Sequence, residues 1–187
     1  TDLPEFFAGT DEKTVKRYNA LFDKFTAYVV LTEKMIEKLG YINKPYVVLE
    51  GQVDSLENKM QKIHKKESKK VIMYAGTVQS QYGLKMLVEG FILANLSGYE
   101  LHVYGNGDYA EEIDRISKVH SNVKHFPSQP NDVIVEKEKE AYLLVNPRPT
   151  DEEYTKYSFP SKNMEYMVSG TAVLTTSLPG MPEEYKQ

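Results

Sequence analysis

The stretch "VIMYAGTVQSQYGLKMLVEGFILANLSGYELHVYG", residues 71–105, decides the fold. It opens on a short apolar run, breaks at Gly76, resumes after Gly83 with Leu84, Leu87, Val88 and Phe91 at helical spacing, and returns to a second apolar run, "LHVYG". A strand, a helix with one apolar stripe and another strand make the crossover unit that joins parallel strands. The rhythm continues downstream with strands "NVKHF" (122–126), "AYLLVN" (141–146) and "TAVLTT" (171–176). Helices are predicted between them at about 83–96, 108–119, 131–140 and 161–169. Tyr109, Ile113 and Ile116 form the stripe of the second of these, and Met164, Met167 and Val168 share a face of the last, with Glu165 beside them. Residues 71–187 therefore predict an α/β fold, a Rossmann-like parallel sheet with helices on both faces.

Upstream the texture differs. Val15, Tyr18, Phe22 and Phe25 recur at helical spacing ahead of the β-rich "AYVVLT" (27–32). Thr32 is placed to cap a helix that runs through "EKMIEKL" and stops at Gly40. A strand "YVVLE" (46–50) follows, then a polar helix from near Asp54 that fades into "KIHKKESKK". The lysine run, Lys62, Lys65, Lys66, Lys69 and Lys70, marks a boundary. The expected organisation is residues 1–70 as the end of a preceding α/β domain with a linker, and 71–187 as a ligand-binding domain truncated at its C-terminus. A start at Thr1 and a stop soon after a strand suggest a piece of a longer protein. The lysines read as a solvated connector, with attraction to an anionic membrane as the sharper alternative.

Composition narrows the classes. With 187 residues, 41% hydrophobic and 27% charged, the chain can bury a core. It has no cysteine, which removes disulfides and thiolate metal sites and fits a reducing, cytoplasmic setting. His64, His102, His120 and His125 show no metal-ligand spacing, so no metal is expected. The net charge of -4 argues against a general nucleic-acid binder. No apolar run nears the roughly 20 residues of a membrane-spanning helix.

Open α/β sheets bind ligands in the crevice beyond the carboxyl ends of their strands. The loops there are "GTVQSQYG", "GNGD", "FPSQPND", "NPRPTDEEYTKYSFPS" and "TSLPGM", and they carry much of the chain's glycine and proline. Gly76 and Gly83 permit close backbone approach, and helix-start amides suit a phosphate. Gly105, Gly107 and Ala110 form a G-x-G-x-x-A arrangement, the dinucleotide fingerprint, but on the second strand of the unit and without an acidic residue ending the next strand. This places an NAD(P)-type reading second. Glu165 near a helix start satisfies the helix dipole, and a carboxylate at this edge also suits the vicinal diol of a ribose.

"YSFPSKNMEYMVSGTAVLTTSLPGMPEEY", preceded by "LLVNPRP" and "YAGTVQSQYGLKMLVEGF", resembles the donor-binding domain of family 4 (group 1) glycosyltransferases, retaining enzymes of the two-domain GT-B fold, in the manner of bacterial capsular and exopolysaccharide synthesis. The similarity covers residues 71–185; "AYVVLTEKM" matches the acceptor-side domain in character only. In the family a glutamate pair spaced by seven residues marks the donor site. The second, which holds the ribose, falls on Glu165; the first, which contacts the transferred sugar, falls on Tyr157. The family's arginine and lysine facing the diphosphate fall on Thr77 and Tyr82, leaving Lys85, Arg148 and Lys162 as candidates for the positive charge. The resemblance thus implies Tyr157, Ser158 and Phe159 at the donor sugar, Gly76, Thr77, Lys85, Arg148, Ser161 and Lys162 at the diphosphate, and Glu165 at the ribose. It implies a nucleotide sugar as donor, a sugar or lipid-linked acceptor, no cofactor and no metal, at the inner face of the membrane or in the cytoplasm.

Three function classes follow. The first is a glycosyltransferase donor domain, inactive alone as a fragment; the second an NAD(P)-dependent oxidoreductase; the third a non-catalytic nucleotide-sugar-binding subunit.

Overall fold

The chain was analysed as a computed structural model, which describes residues 3–6, 10–53 and 70–185. The polar helix expected from Asp54, His64, and Lys62, Lys65, Lys66 and Lys69 lie outside the described residues. Two compact units are present: Thr1–Gln52 with Thr150–Ser161 and Ser177–Gln187, and Val53–Pro149 with Lys162–Thr176.

The first unit contains α1 (Glu12–Phe22), β1 (Tyr28–Val30), α2 (Glu33–Leu39) and β2 (Tyr46–Val48). Asp11 caps α1, its carboxylate accepting from the Thr14 amide at 2.7 Å. Thr32 caps α2 through the Met35 amide at 3.2 Å, and Gly40 closes that helix in the left-handed region at φ 75°. β1 and β2 pair in parallel, Tyr28 opposite Tyr46. Leu3, Val30, Met35 and Ile36 form the core, with the Tyr28, Tyr46 and Tyr157 rings packed on it. α1 buries none of its side chains among the described residues, and Tyr18 and Leu21 are 41% and 48% exposed.

The second unit is a five-stranded parallel sheet: β3 (Lys70–Ala75), α3 (Leu84–Ala94), β4 (Tyr99–Tyr104), α4 (Ala110–Val119), β5 (Val123–Phe126), α5 (Asn131–Glu140), β6 (Leu143–Asn146), α6 (Ser161–Val168) and β7 (Val173–Thr175). Its strand order is β5-β4-β3-β6-β7. The chain steps outward from β3 on one side, then crosses to the other, so the winding reverses between β3 and β6. Side chains alternate along β3. Ile72 and Tyr74 meet Leu84, Val88 and Phe91 of α3 and Ile113 of α4, whereas Met73 and Ala75 meet Ile134 of α5 and Tyr166 of α6. Burial on both faces explains why β3 reads as an unbroken apolar run. Lys70 opens β3 with its ammonium 4.5 Å from the Tyr142 ring centroid and 5.3 Å from that of Tyr99.

One expected face is corrected. On α6 the buried positions are Asn163 and Tyr166, while Met167 is 43% exposed. The stripe of Met164, Met167 and Val168 is displaced because polar side chains with partners took the inner face. Asn163 Oδ1 accepts from Asn146 Nδ2 at 2.7 Å and its Nδ2 donates to Thr175 Oγ1 at 3.1 Å. Tyr166 reaches the centre of the sheet. β3 pairs with β6 only at Ile72 and Met73; at Ala75 the Tyr166 hydroxyl accepts from the amide at 2.9 Å and donates to the carbonyl at 3.2 Å. A side chain thus fills the gap left where the strands diverge.

Candidate functional site

A cleft of about 300 Å³ opens over the carboxyl ends of β3, β4 and β5. Gly76 and Thr77 line it from β3, Gly105 and Asn106 from β4, Ser128 and Gln129 from the loop after β5, and Lys162 from α6. This is the region at which a doubly wound sheet receives a ligand.

Glycine makes the cleft possible by letting two loops touch. A Cβ on Gly105 (φ 138°) would stand 1.8 Å from the Gly76 carbonyl oxygen, and one on Gly107 would stand 2.0 Å from that of Val78. The Val78 amide donates to the Asn106 carbonyl at 2.9 Å, and the Tyr109 amide to the Val78 carbonyl at 3.1 Å. Asp108 accepts from the Ser80 amide at 2.7 Å and its hydroxyl at 3.2 Å. The G-x-G-x-x-A sequence therefore has a structural explanation. Its glycines fit one loop against another, and Tyr109, ahead of α4, spends its amide on Val78.

Lys162 brings a charged pair to the cleft. Lys162 Nζ donates to Glu165 Oε2 at 2.7 Å. The other carboxylate oxygen, Oε1, is buried and has no hydrogen-bond partner among the described residues. A buried acceptor on a charged group costs free energy until a donor reaches it. α6 holds this pair in place through the Asn163 and Tyr166 contacts. Burial first of all pushes the Tyr166 phenol well above its ordinary value, so it remains a hydrogen-bond donor.

Of the residues singled out in the sequence, Gly76, Thr77 and Lys162 line the cleft. Glu165 is tied to it through Lys162. Arg148 and Lys85 are not among its lining residues: the Arg148 guanidinium sits 4.7 Å from the Tyr82 ring centroid, and Lys85 pairs with Glu89 at 3.9 Å on the exposed face of α3. Ser161 is the exposed first residue of α6. Tyr157, Ser158 and Phe159 belong to the first unit. There the Tyr157 ring stacks on Phe6 at 5.7 Å and its carbonyl accepts from Thr32 Oγ1 at 3.2 Å, while Phe159 meets the Tyr185 ring at 5.2 Å. Ser158 Oγ is buried. Asn106, Asn163 and Tyr166 escaped the sequence reading. Polar residues beside glycine loops and inside an apolar helix were the available signal.

Among the described residues no group of three or more His, Asp or Glu side chains is arranged to hold a metal ion, and no helix is long and apolar enough to cross a membrane.

Residues 55–187 match the family described as glycosyl transferases group 1. The chain belongs to that family. Comparison with curated proteins gives no match. Among solved structures, this group 1 chain is similar to HepE from Anabaena in complex with UDP, with a TM-score of 0.74 and 16% identity over 96% of this chain and 52% of that one. Sucrose-phosphate synthase from Thermosynechococcus elongatus gives 0.68 and 14%, over 92% and 46%. The lipopolysaccharide outer core galactosyltransferase WaaB gives 0.61 and 21%, over 85% and 45%. At these identities the likeness is one of fold, the α/β architecture of GT-B glycosyltransferases. The group 1 chain spans about half the length of these structures.

Proposed function

We propose that the chain is the donor-binding half of a retaining glycosyltransferase, taking a nucleoside diphosphate sugar into the cleft at the carboxyl edge of the second unit. The observation that carries this reading is the Lys162–Glu165 pair, whose lysine lines the cleft and whose carboxylate keeps one oxygen without a hydrogen-bond partner among the described residues. A ribose hydroxyl supplies the donor for Glu165 Oε1. Lys162 keeps further N–H donors beyond the one given to Glu165, and these face the diphosphate. Backbone at Gly76 and Thr77 approaches the phosphates where glycine leaves room. In transfer, the bond between the anomeric carbon and the diphosphate oxygen breaks, an acceptor hydroxyl bonds to that carbon from the same face, and its proton passes to the leaving diphosphate oxygen. The residues named here act by stabilising charge that develops on the leaving diphosphate.

The remaining expectations belong to the same proposal. Residues 1–70 are the end of an acceptor-side domain with its linker, and 71–187 the donor domain. The acceptor is a sugar or lipid-linked hydroxyl, the setting bacterial cell-surface polysaccharide synthesis at the cytoplasmic face of the membrane, and the donor is held without a metal ion. A non-catalytic nucleotide-sugar-binding role is the second reading, favoured by Tyr157 at the position of the family's sugar-contacting glutamate and by its packing on Phe6.

Ligand-observed NMR and calorimetry with UDP, GDP, uridine and NAD test the proposal. A nucleoside diphosphate binds and NAD does not. Lys162→Gln weakens UDP far more than uridine, whereas Glu165→Ala weakens both, each by about 1.5–3 kcal/mol for a hydrogen bond to a charged group. Binding of NAD alone would overturn the reading. An assay for sugar transfer, run with an acceptor-side domain supplied in trans, separates the catalytic from the non-catalytic form.

A further inference from the structure

The ring of His125, on β5, is held between two oxygens. Its Nδ1 lies 2.8 Å from Asp114 Oδ1 on α4, and its Nε2 lies 2.9 Å from the carbonyl oxygen of Gly105. A main-chain carbonyl only accepts, and Asp114, 58% exposed, is a carboxylate that only accepts as well. A neutral imidazole has one N–H and one lone pair, so in that form one contact sets lone pair against lone pair. Both contacts are hydrogen bonds only when both nitrogens carry protons. With the ring side chain 8% exposed, water has little access to replace either partner.

Val103 lies opposite His125 in the sheet, and Val123 shares its face, so strand neighbours there are apolar. His102, paired with Glu100 at 2.9 Å, and Lys124 lie opposite each other on the other face. From α4, Arg115 is taken by Glu112 at 2.6 Å, which leaves Asp114 as the carboxylate facing the ring.

Gly105 is where this bridge meets the cleft. Its amide donates to the Phe126 carbonyl at 3.0 Å, and its Cα is so close to the Gly76 carbonyl that no methyl group fits between them. A shift of Gly105 is therefore passed to Gly76 with little slack.

We infer that His125 is a positioning residue that works as the imidazolium, pinning the Gly105 carbonyl to α4 and thereby setting the glycine loops of the cleft for a diphosphate. The inference rests on the nucleotide-binding reading for its ligand but not for its geometry. Loss of a ring proton removes one of the two hydrogen bonds, so the loops are fixed when both ring nitrogens carry protons and released when one does not.

The test follows the 187-residue chain by NMR between about pH 5.5 and 8.5, first without ligand. Both His125 ring nitrogens are protonated at the acid end, and the amides of Gly76, Gly105 and Asn106 shift with the same midpoint as the ring. His125→Gln abolishes the amide titration. In a second arm, UDP binding weakens at least about threefold more over this range in the parent chain than in His125→Gln, a comparison that cancels titration of the UDP phosphates. A ring with a single N–H at the acid end, or glycine amides that ignore its titration, overturns the bridge. Equal UDP profiles in the two proteins overturn its role in binding. Failure of UDP to bind at any pH, with the coupled titration intact, sinks the nucleotide reading and leaves the bridge standing.

Discussion

Tyr166 concentrates more structural consequence than any other residue of α6. Its hydroxyl is the partner of both the amide and the carbonyl of Ala75, at the point where β3 has parted from β6. Tyr166→Phe leaves two buried backbone groups without it, at a cost of about 1–3 kcal/mol in urea-induced unfolding. Its pH dependence has a definite sign. Burial raises the folded-state phenol well above its ordinary value, so the unfolded tyrosine ionises first. The stabilisation is complete below about pH 10, the unperturbed value, and is lost as the pH climbs beyond it. Unfolding midpoints across that alkaline range should fall less steeply in Tyr166→Phe than in the parent; parallel curves would remove Tyr166 from the account. None of this was legible in the sequence. A tyrosine beside methionines counts as one more apolar-compatible side chain, and its hydroxyl matters only because a strand seven elements earlier ends with unpaired backbone.

At the scale of elements the sequence was more informative. The spacing of Leu84, Val88 and Phe91, and the recurrence of short apolar runs, identified the helices and strands of the sheet because burial on both faces leaves a continuous apolar signature. Loop-to-loop fit was not visible, since it depends on distances between segments that no local pattern encodes. The glycines at 105 and 107 looked like a cofactor motif and proved to be contact points between turns. Gly107→Ala therefore drives a methyl group into the Val78 carbonyl, 2.0 Å from its ideal position. Overpacking of this kind costs about 1–3 kcal/mol, and calorimetric melting should register it together with a loss of UDP binding. A helix cap offers a milder contrast. Thr32→Ala removes the acceptor for the Met35 amide and the donor to the Tyr157 carbonyl, with an expected loss of about 1 kcal/mol. Its effect should fall on the first unit alone, as local melting seen by hydrogen exchange, with the amides of β3 and β4 unchanged.

For the whole molecule, the two units differ in how much they bury. β1 and β2 are three residues each, and Val29 and Val47 on them are 68% and 56% exposed, whereas β3 is buried from Ile72 to Ala75. Few buried apolar contacts mean low local stability. Amide exchange should accordingly be fast at Tyr28–Val30 and slow at Ile72–Ala75 and Leu101–Tyr104; uniform protection would contradict the packing. Transfer of sugar is expected to be absent from these 187 residues by themselves, because clamping donor and acceptor across a cleft supplies about 7–11 kcal/mol of a barrier in favourable cases and the chain spans about half of its structural relatives. Release of nucleotide with soluble and lipid-linked acceptors measures it. The chain from Asn146 through Asn163 to Thr175 has a further meaning here. It is built from amides and a hydroxyl, groups that neither gain nor lose protons across the physiological range. The helix that brings Lys162 to the cleft is thus anchored by chemistry indifferent to acidity, while the glycine loops hang from an imidazole. The cleft is a vice whose two jaws are held by different chemistry, side-chain amides on one and a ring between two oxygens on the other.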